Sequence, residues 1–332
     1  MRKFIYKKDL RNFMDALSVD NDIFYLTSGQ SYKKYGRDDT AEELDIDVVR
    51  AITPLKSFYF IQSEKTDIPL SPPKKRNIIF GVKSCDLRAK FVLDKMFMEG
   101  VCADPLYEYH LKNTLIFSSD CPKPQSSCFC SFVEGKPYVE PGKQAYDLNF
   151  SPAAGGYIVE AGSPEGEKIL AQLEAFFDDV PGEMLTKRDE ARQESIRMLD
   201  EINRDFAVLK NADLKKRAKE NYLSGWWKEA SKTCVQCTGC NNICPSCYCF
   251  YLRPGDEFQS IKTWDACHYT SYGRMAGGSN PRHKLFERFR NRYQCKFNFR
   301  RENFGVYACT GCGRCFEVCP GKIDIRKVMA GL

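Results

Sequence analysis

"TCVQCTGCNNICPSCYCF", residues 233–250, carries six cysteines in eighteen positions. Cys234, Cys237, Cys240 and Cys244 follow the spacing C-x2-C-x2-C-x3-C, with Pro245 next. Three thiols spaced two residues apart wrap one iron–sulfur cubane from a single tight loop, and the fourth points away from it. Working outward, "ACTGCGRCFEVCPGKIDI" (308–325) repeats the pattern with Cys309, Cys312, Cys315, Cys319 and Pro320. Where two such runs occur together, each fourth cysteine ligates the other cluster. The expected sets are therefore crossed: Cys234, Cys237, Cys240 and Cys319 for one [4Fe–4S] cluster, and Cys309, Cys312, Cys315 and Cys244 for the other. Structural zinc fits poorly, because it is usually held by two separated cysteine pairs. Gly239, Gly311 and Gly313 suit loops whose backbone must approach a cluster closely.

The rest of the chain supplies a second context for cysteine. There are seventeen in 332 residues, and the start, "MRKFIYKKDL", lacks the apolar stretch of a signal peptide. Metal binding in a reducing cytoplasm is expected rather than disulfides. No run is long and apolar enough for direct membrane insertion.

"NIIFGV" (77–82) and "TLIFSS" (114–119) read as buried strands, with "DLRAKFVLDKMF" (86–97) as a helix between them. "GGYIVEAG" (155–162) reads as a further strand and 164–179 as a helix. The expected fold is α+β/α: an α/β domain over 1–180, a helical linker over 181–230, and a mainly helical, ferredoxin-like dicluster domain over 231–332. In the linker, Ile196, Leu199, Ile202, Phe206 and Leu209 share one helical face. Trp226 and Trp227 are expected to pack against the cluster domain.

Cys85 and Cys121 each lie just past the carboxyl end of an expected strand, the edge where open α/β sheets bind ligands. Cys128 and Cys130 can fold back to that edge. The four define a third site, for an iron–sulfur cluster, for zinc, or for unmetallated buried thiols. Cys247, Cys249 and Cys267 remain over. They form either a further metal site, with Cys295 or another ligand, or a layer of thiols packed beside the cubanes.

The net charge of +6 is concentrated in "PRHKLFERFRNRYQCKFNFRRE" (281–302). It reads first as a solvated helix face, then as charge balance for anionic clusters or a dock for an acidic partner. No groove-reading motif accompanies it, so nucleic acid is not an expected partner. Among three histidines no acid–base pair stands out. His110 and His283 read as surface or core residues, and His268 as a hydrogen-bond partner to a cluster.

"FGVKSCDLRA", "DCPKPQSSCFCS", "CTGCNNICPSCYCF", "WDACHYTSYGRMAGG", "LFERFRNRYQCKF" and "CTGCGRCFEVCP" occur in that order over residues 77–325. As an ordered set they resemble one family, the iron–sulfur electron-transfer subunits of anaerobic sulfite reductase and of sulfhydrogenase (the nickel–iron hydrogenase β subunit). Lys83 and Ser84 before Cys85 are a small departure from its pattern. The resemblance implies a non-catalytic electron-transfer subunit of a redox complex. Its expected partners are two: one that binds flavin and NAD(P)H, and one that is a terminal reductase or hydrogenase. Flavin is expected on the partner. The alternative is a flavin-binding oxidoreductase with its own active site in the N-terminal domain, although no G-x-G-x-x-G follows a strand.

Overall fold

The computed structural model describes residues 1–36, 44–66, 71, 73–256 and 259–332. Its strands are β1 (Arg2–Tyr6), β2 (Asn21–Leu26), β3 (Tyr32–Lys34), β4 (Ser63–Lys65), β5 (Arg76–Val82), β6 (Thr114–Ser119), β7 (Leu148–Ala153), β8 (Gly156–Ala161), β9 (Phe250–Pro254) and β10 (Ser260–Trp264). The helices of the first half are α1 (Leu10–Leu17), α2 (Ser84–Phe97), α3 (Pro105–Lys112), α4 (Pro164–Gln172) and α5 (Gly182–Ile202). Shorter ones follow: α6 (Leu214–Glu220), α7 (Trp226–Ala230), α8 (Gly239–Asn242), α9 (Leu285–Tyr293), α10 (Arg300–Phe304), α11 (Arg314–Glu317) and α12 (Ile325–Ala330).

Seven strands form one sheet in the order β1-β8-β7-β6-β5-β2-β3. The four central strands β2, β5, β6 and β7 are parallel, and antiparallel pairs close both edges. Side chains alternate between sheet faces, and both faces are apolar. Ile78, Phe80 and Phe117 pack under α1 with Phe13 and Met14. Ile79, Val82 and Ile116 pack on the other side with Leu87, Leu93 and Phe97 of α2. A sheet buried on both faces reads as continuous hydrophobic runs, which is why β5 and β6 are visible in the sequence.

Gly81 breaks the β5 register between Phe80 and Val82. It has a φ of +91°, and a Cβ there would lie 2.7 Å from the Leu26 Cβ. The resulting bulge sends Lys83-Ser84-Cys85 off the sheet edge into the start of α2. Lys83 is buried and donates to the Ile46 carbonyl, to Ser119 Oγ at 2.8 Å and to the Asp120 carbonyl at 2.9 Å. It thereby fastens the end of β5 to the end of β6.

α4 is capped by Ser163, which accepts from Gly166 N–H at 3.0 Å, with Pro164 in its first turn. It stops at Gln172, before a separate 3-10 turn over Glu174–Phe176, so 164–179 is two pieces. The segment after it packs back on the sheet. Arg188 of α5 pairs with Glu160 at 3.2 Å, and Arg192 with Asp120 at 2.7 Å. Helix gives way at Asn203, whose buried amide donates to the Leu199 carbonyl at 2.7 Å and to the Cys128 carbonyl at 2.9 Å. Of the apolar face read there, Leu199 and Leu209 are fully buried and the other three residues half-buried. Trp227 is buried against Phe289 and Tyr293, and Trp226 donates to the Val328 carbonyl at 2.9 Å.

The later part of the chain consists of short helices and the β9–β10 hairpin. β10 pairs with β4, so the hairpin completes a three-stranded sheet with an early segment. No helix among the described residues is long and apolar enough to cross a membrane.

Candidate metal centres

Among the described residues, three cavities are lined by predicted cysteine ligands, site B by four and sites A and C by five each, because Cys315 also reaches A and Cys312 also reaches C. Cys234, Cys237, Cys240 and Cys319 line site A, with His268, Phe289, Arg292 and Tyr293. Its loop turns through left-handed backbone at Gln236 and Thr238, with φ of 59° and 60°. Cys244, Cys309, Cys312 and Cys315 line site B, with Phe129, Arg292, Lys296 and Thr310. Cys85, Cys121, Cys128 and Cys130 line site C, with Val49, Arg50, Lys83 and Lys136. Cys319 lines A beside the three cysteines of the first loop, and Cys244 lines B beside the three of the second.

The cavities share walls. Cys315, Arg292 and Ile325 line both A and B, and Gly311 and Cys312 line both B and C. The B–C wall is tight: Phe129 N–H donates to the Gly311 carbonyl at 2.8 Å. Gly311 has a φ of +67°, and a Cβ on it would lie 2.5 Å from the Cys130 nitrogen and Cα. Two buried arginines fasten the same wall. Arg50 donates from Nε to the Cys312 carbonyl at 2.6 Å and pairs with Glu317 at 2.7 Å. Arg314 reaches Asp86, next to Cys85, at 2.7 Å, with both side chains 1% exposed.

The surroundings fit anionic metal–thiolate groups. Buried cations need a partner charge, yet among the described residues the buried Arg292, Lys56 and Lys296 have no carboxylate within ion-pair distance. Burial works against the charge of Arg292, but Cys240, Cys315, Cys247 and Cys244 hold it well above its ordinary range. Lys296 is raised likewise by Cys244, Cys247 and Cys295 against burial. Burial pushes the Cys128 and Cys309 thiols up to about 12. Such thiols stay protonated unless a metal takes the proton's place.

Buried polar atoms aimed at A and B also lack protein partners among the described residues. They include both ring nitrogens of His268, Arg292 Nε and Thr310 Oγ1. A cluster's sulfides would accept from Arg292 Nε–H, from the Thr310 hydroxyl and from the single N–H of a neutral His268 ring. Burial, followed by Arg292 and Arg288, lowers His268 to about 3, so it is neutral. Among the described residues, no three His, Cys, Asp or Glu side chains converge as a site for one metal ion. The thiols ring cavities instead.

Cys247, Cys249 and Cys267 line none of these three cavities and sit beside Asn241 and the β9–β10 hairpin, Cys247 N–H donating to the carbonyl of Cys244 at 3.4 Å. His110 pairs with Glu64 at 2.9 Å, and His283 is exposed, so neither belongs to a site. The basic segment does not form a simple solvated face: Arg288, Arg292 and Lys296 are buried. They stand at i, i+4 and i+8, one stripe along α9 and the π-turn after it (Gln294–Phe299). That spacing was the available signal for these cations. Arg50 and Arg314 had none, because each acts across more than 200 residues of chain.

Paired cysteine loops around adjoining cavities define an iron–sulfur protein, and residues 233–323 match the model of a 4Fe-4S dicluster domain. The resemblance expected from the motifs is found in known proteins. The chain is 29% identical to the sulfhydrogenase 2 subunit beta of Pyrococcus furiosus over 328 residues, 96% of this chain and 94% of the relative. It is also 22% identical to the F420-dependent formate dehydrogenase subunit beta of Methanocaldococcus jannaschii, over 54% of this chain and 39% of that protein.

Proposed function

We propose that the chain is the iron–sulfur electron-transfer subunit of a cytoplasmic oxidoreductase complex. Its partners are a flavin subunit that oxidises NAD(P)H and a terminal reductase or hydrogenase subunit. Residues 1–180 form its α/β domain, 181–230 a connecting helical segment, and 231–332 a helical ferredoxin-like domain. Cys234, Cys237, Cys240 and Cys319 hold one [4Fe–4S] cluster, and Cys309, Cys312, Cys315 and Cys244 a second. Cys85, Cys121, Cys128 and Cys130 hold a third. When bound, the clusters supply one-electron transfer.

The observation that carries this reading is that the three cavities adjoin in series, A to B to C, through shared walls. The chain's own part is positional and electrostatic. Arg292 sits between A and B, and Arg50 beside B and C, so each offsets the negative charge of two thiolate groups. Arg314 and Asp86 clamp the C loop to the B loop. Phe289, Tyr293, Ile323 and Ile325 keep water from the wall of A. Cys237 and its neighbour Val235 are exposed, which makes A the end at which a partner docks.

Anaerobic purification of the native complex, followed by rapid mixing of its flavin subunit with this chain, tests the reading. Reduction of the iron–sulfur absorption within the turnover time is expected. Stoichiometric flavin on the isolated chain, or clusters that stay oxidised during turnover, would refute it.

A further inference from the structure

Sites A, B and C differ in the charge that the chain builds round them. Among the described residues no carboxylate lines any of the three. Arg292 lines both A and B, and Lys296 lines B alone. Both are buried, and among the described residues neither has a carboxylate within ion-pair distance. Site A has its share of Arg292 and nothing more, because His268 is neutral. At C most of the positive charge is already answered. Arg50 pairs with Glu317 at 2.7 Å, and the half-exposed Lys136 pairs with Glu140 at 2.9 Å. Lys83 has no carboxylate partner, but its bonds to the Ile46 carbonyl, Ser119 Oγ and the Asp120 carbonyl occupy all three ammonium protons.

The charge at B is also aimed inward. Lys296 Nζ donates to Ser246 Oγ at 2.7 Å, and that oxygen lies 3.5 Å from Cys244 Sγ. Arg292 Nε and Thr310 Oγ1 are buried without protein partners among the described residues. Thr310 lines B and neither of the other cavities. Reduction adds an electron to a metal–thiolate group that is already anionic. A fixed cation beside it, or a hydrogen bond to its sulfur, therefore favours the reduced state and raises the potential. Inside a low-dielectric wall a cation acts more strongly than in water and is little screened by salt. Water favours reduction too, and the exposed Cys237 gives A that benefit. It reaches A at one edge, whereas two cations and a free hydroxyl stand in the wall of B, so the cations decide the order.

We infer that B is the electron well of the row: its cluster has the highest reduction potential of the three, set by Lys296 and Thr310 together with Arg292. An electron that enters at A or at C settles on B first. The chain then holds one electron in the middle while the two ends exchange others with their partners. This inference rests on the reading of A, B and C as cluster sites, and the test separates the two.

The full chain is reconstituted anaerobically, its iron is counted, and it is titrated with reductant while EPR follows each cluster. One cluster should be reduced before the others. Lys296→Met and Thr310→Val each alter a residue that lines B alone, so both should move that same first signal to lower potential. The other signals should stay in place and the iron content should not change. In C85S/C121S the first signal should persist. Loss of the first signal in C85S/C121S, a shift confined to a later signal, or no shift in either single variant would overturn the inference. Should Lys296→Met lose iron, Thr310→Val decides. The iron count reports on the underlying reading. Fewer than about eight irons in the natural chain would refute A and B as cluster sites, and the inference with them. About eight that C85S/C121S leaves unchanged would refute C, and the same titration would then rank B against A.

Discussion

Replacing Gly311 by alanine isolates the wall between sites B and C. Two effects add there. An L-residue in left-handed backbone costs about 1–2 kcal/mol, and Gly311 sits at a φ of +67°. The new Cβ also lies 2.5 Å from the Cys130 nitrogen and Cα, and backbone atoms cannot rotate aside as a flexible side chain can. Overpacking of that kind adds about 1–3 kcal/mol. Gly305 supplies the control, with a φ of +73° and nothing within 4 Å of its Cβ position. Gly305→Ala should therefore show the backbone effect alone. Anaerobic thermal unfolding should show Gly311→Ala lowering the midpoint roughly twice as far. The displacement must also push the Cys128–Cys130 loop away from Cys312. Magnetic coupling between reduced clusters, read by EPR, should weaken in Gly311→Ala with iron content unchanged. Equal midpoint losses and unaltered coupling would show that the two loops do not abut.

Arg314→Met leaves the Asp86 carboxylate buried without its partner and should cost about 3–5 kcal/mol; adding Asp86→Leu should restore much of it in a double-variant unfolding cycle. Arg292→Met removes the cation between sites A and B, and should lower the potentials there by on the order of 50–100 mV in redox titration, because reduction adds negative charge. His268 is lowered to about 3 against about 6.5 when unfolded. The unfolded chain takes up the proton that the folded chain refuses, so stability is undiminished above pH 6.5. It falls below that by about 1.4 kcal/mol per pH unit towards 3. Melting curves should lose about 1.4 kcal/mol in all between pH 7.5 and 5.5, nearly all of it below pH 7, and His268→Gln should remove that loss.

The parts of the fold written in short range were legible in the sequence. β5 and β6 are apolar runs because both sheet faces are buried, and the cysteine loops carry their ligand spacing in the chain itself. Cys85 and Cys121 follow strands β5 and β6, which are neighbours in the sheet, and that local placement is why both line one cavity. Long-range pairings left no local mark: β1 joining β8 across the sheet, β4 joining β10, and Arg50 reaching Cys312. The 181–230 segment has the periodicity of a helix, but its charges gave no hint that Arg188 and Arg192 would find Glu160 and Asp120. The basic stretch misled for a related reason. Charge suggests solvent unless the chemistry of a buried anion is already in view, and only the i, i+4, i+8 stripe of Arg288, Arg292 and Lys296 tells the two apart.

The central claim is that Cys85, Cys121, Cys128 and Cys130 carry a cluster in line with the dicluster. It is tested most directly by counting iron on the anaerobically purified chain against its Cys85→Ala/Cys121→Ala variant. A loss of about four irons, with the dicluster EPR signals retained, is predicted. A variant that keeps the full iron content would contradict it.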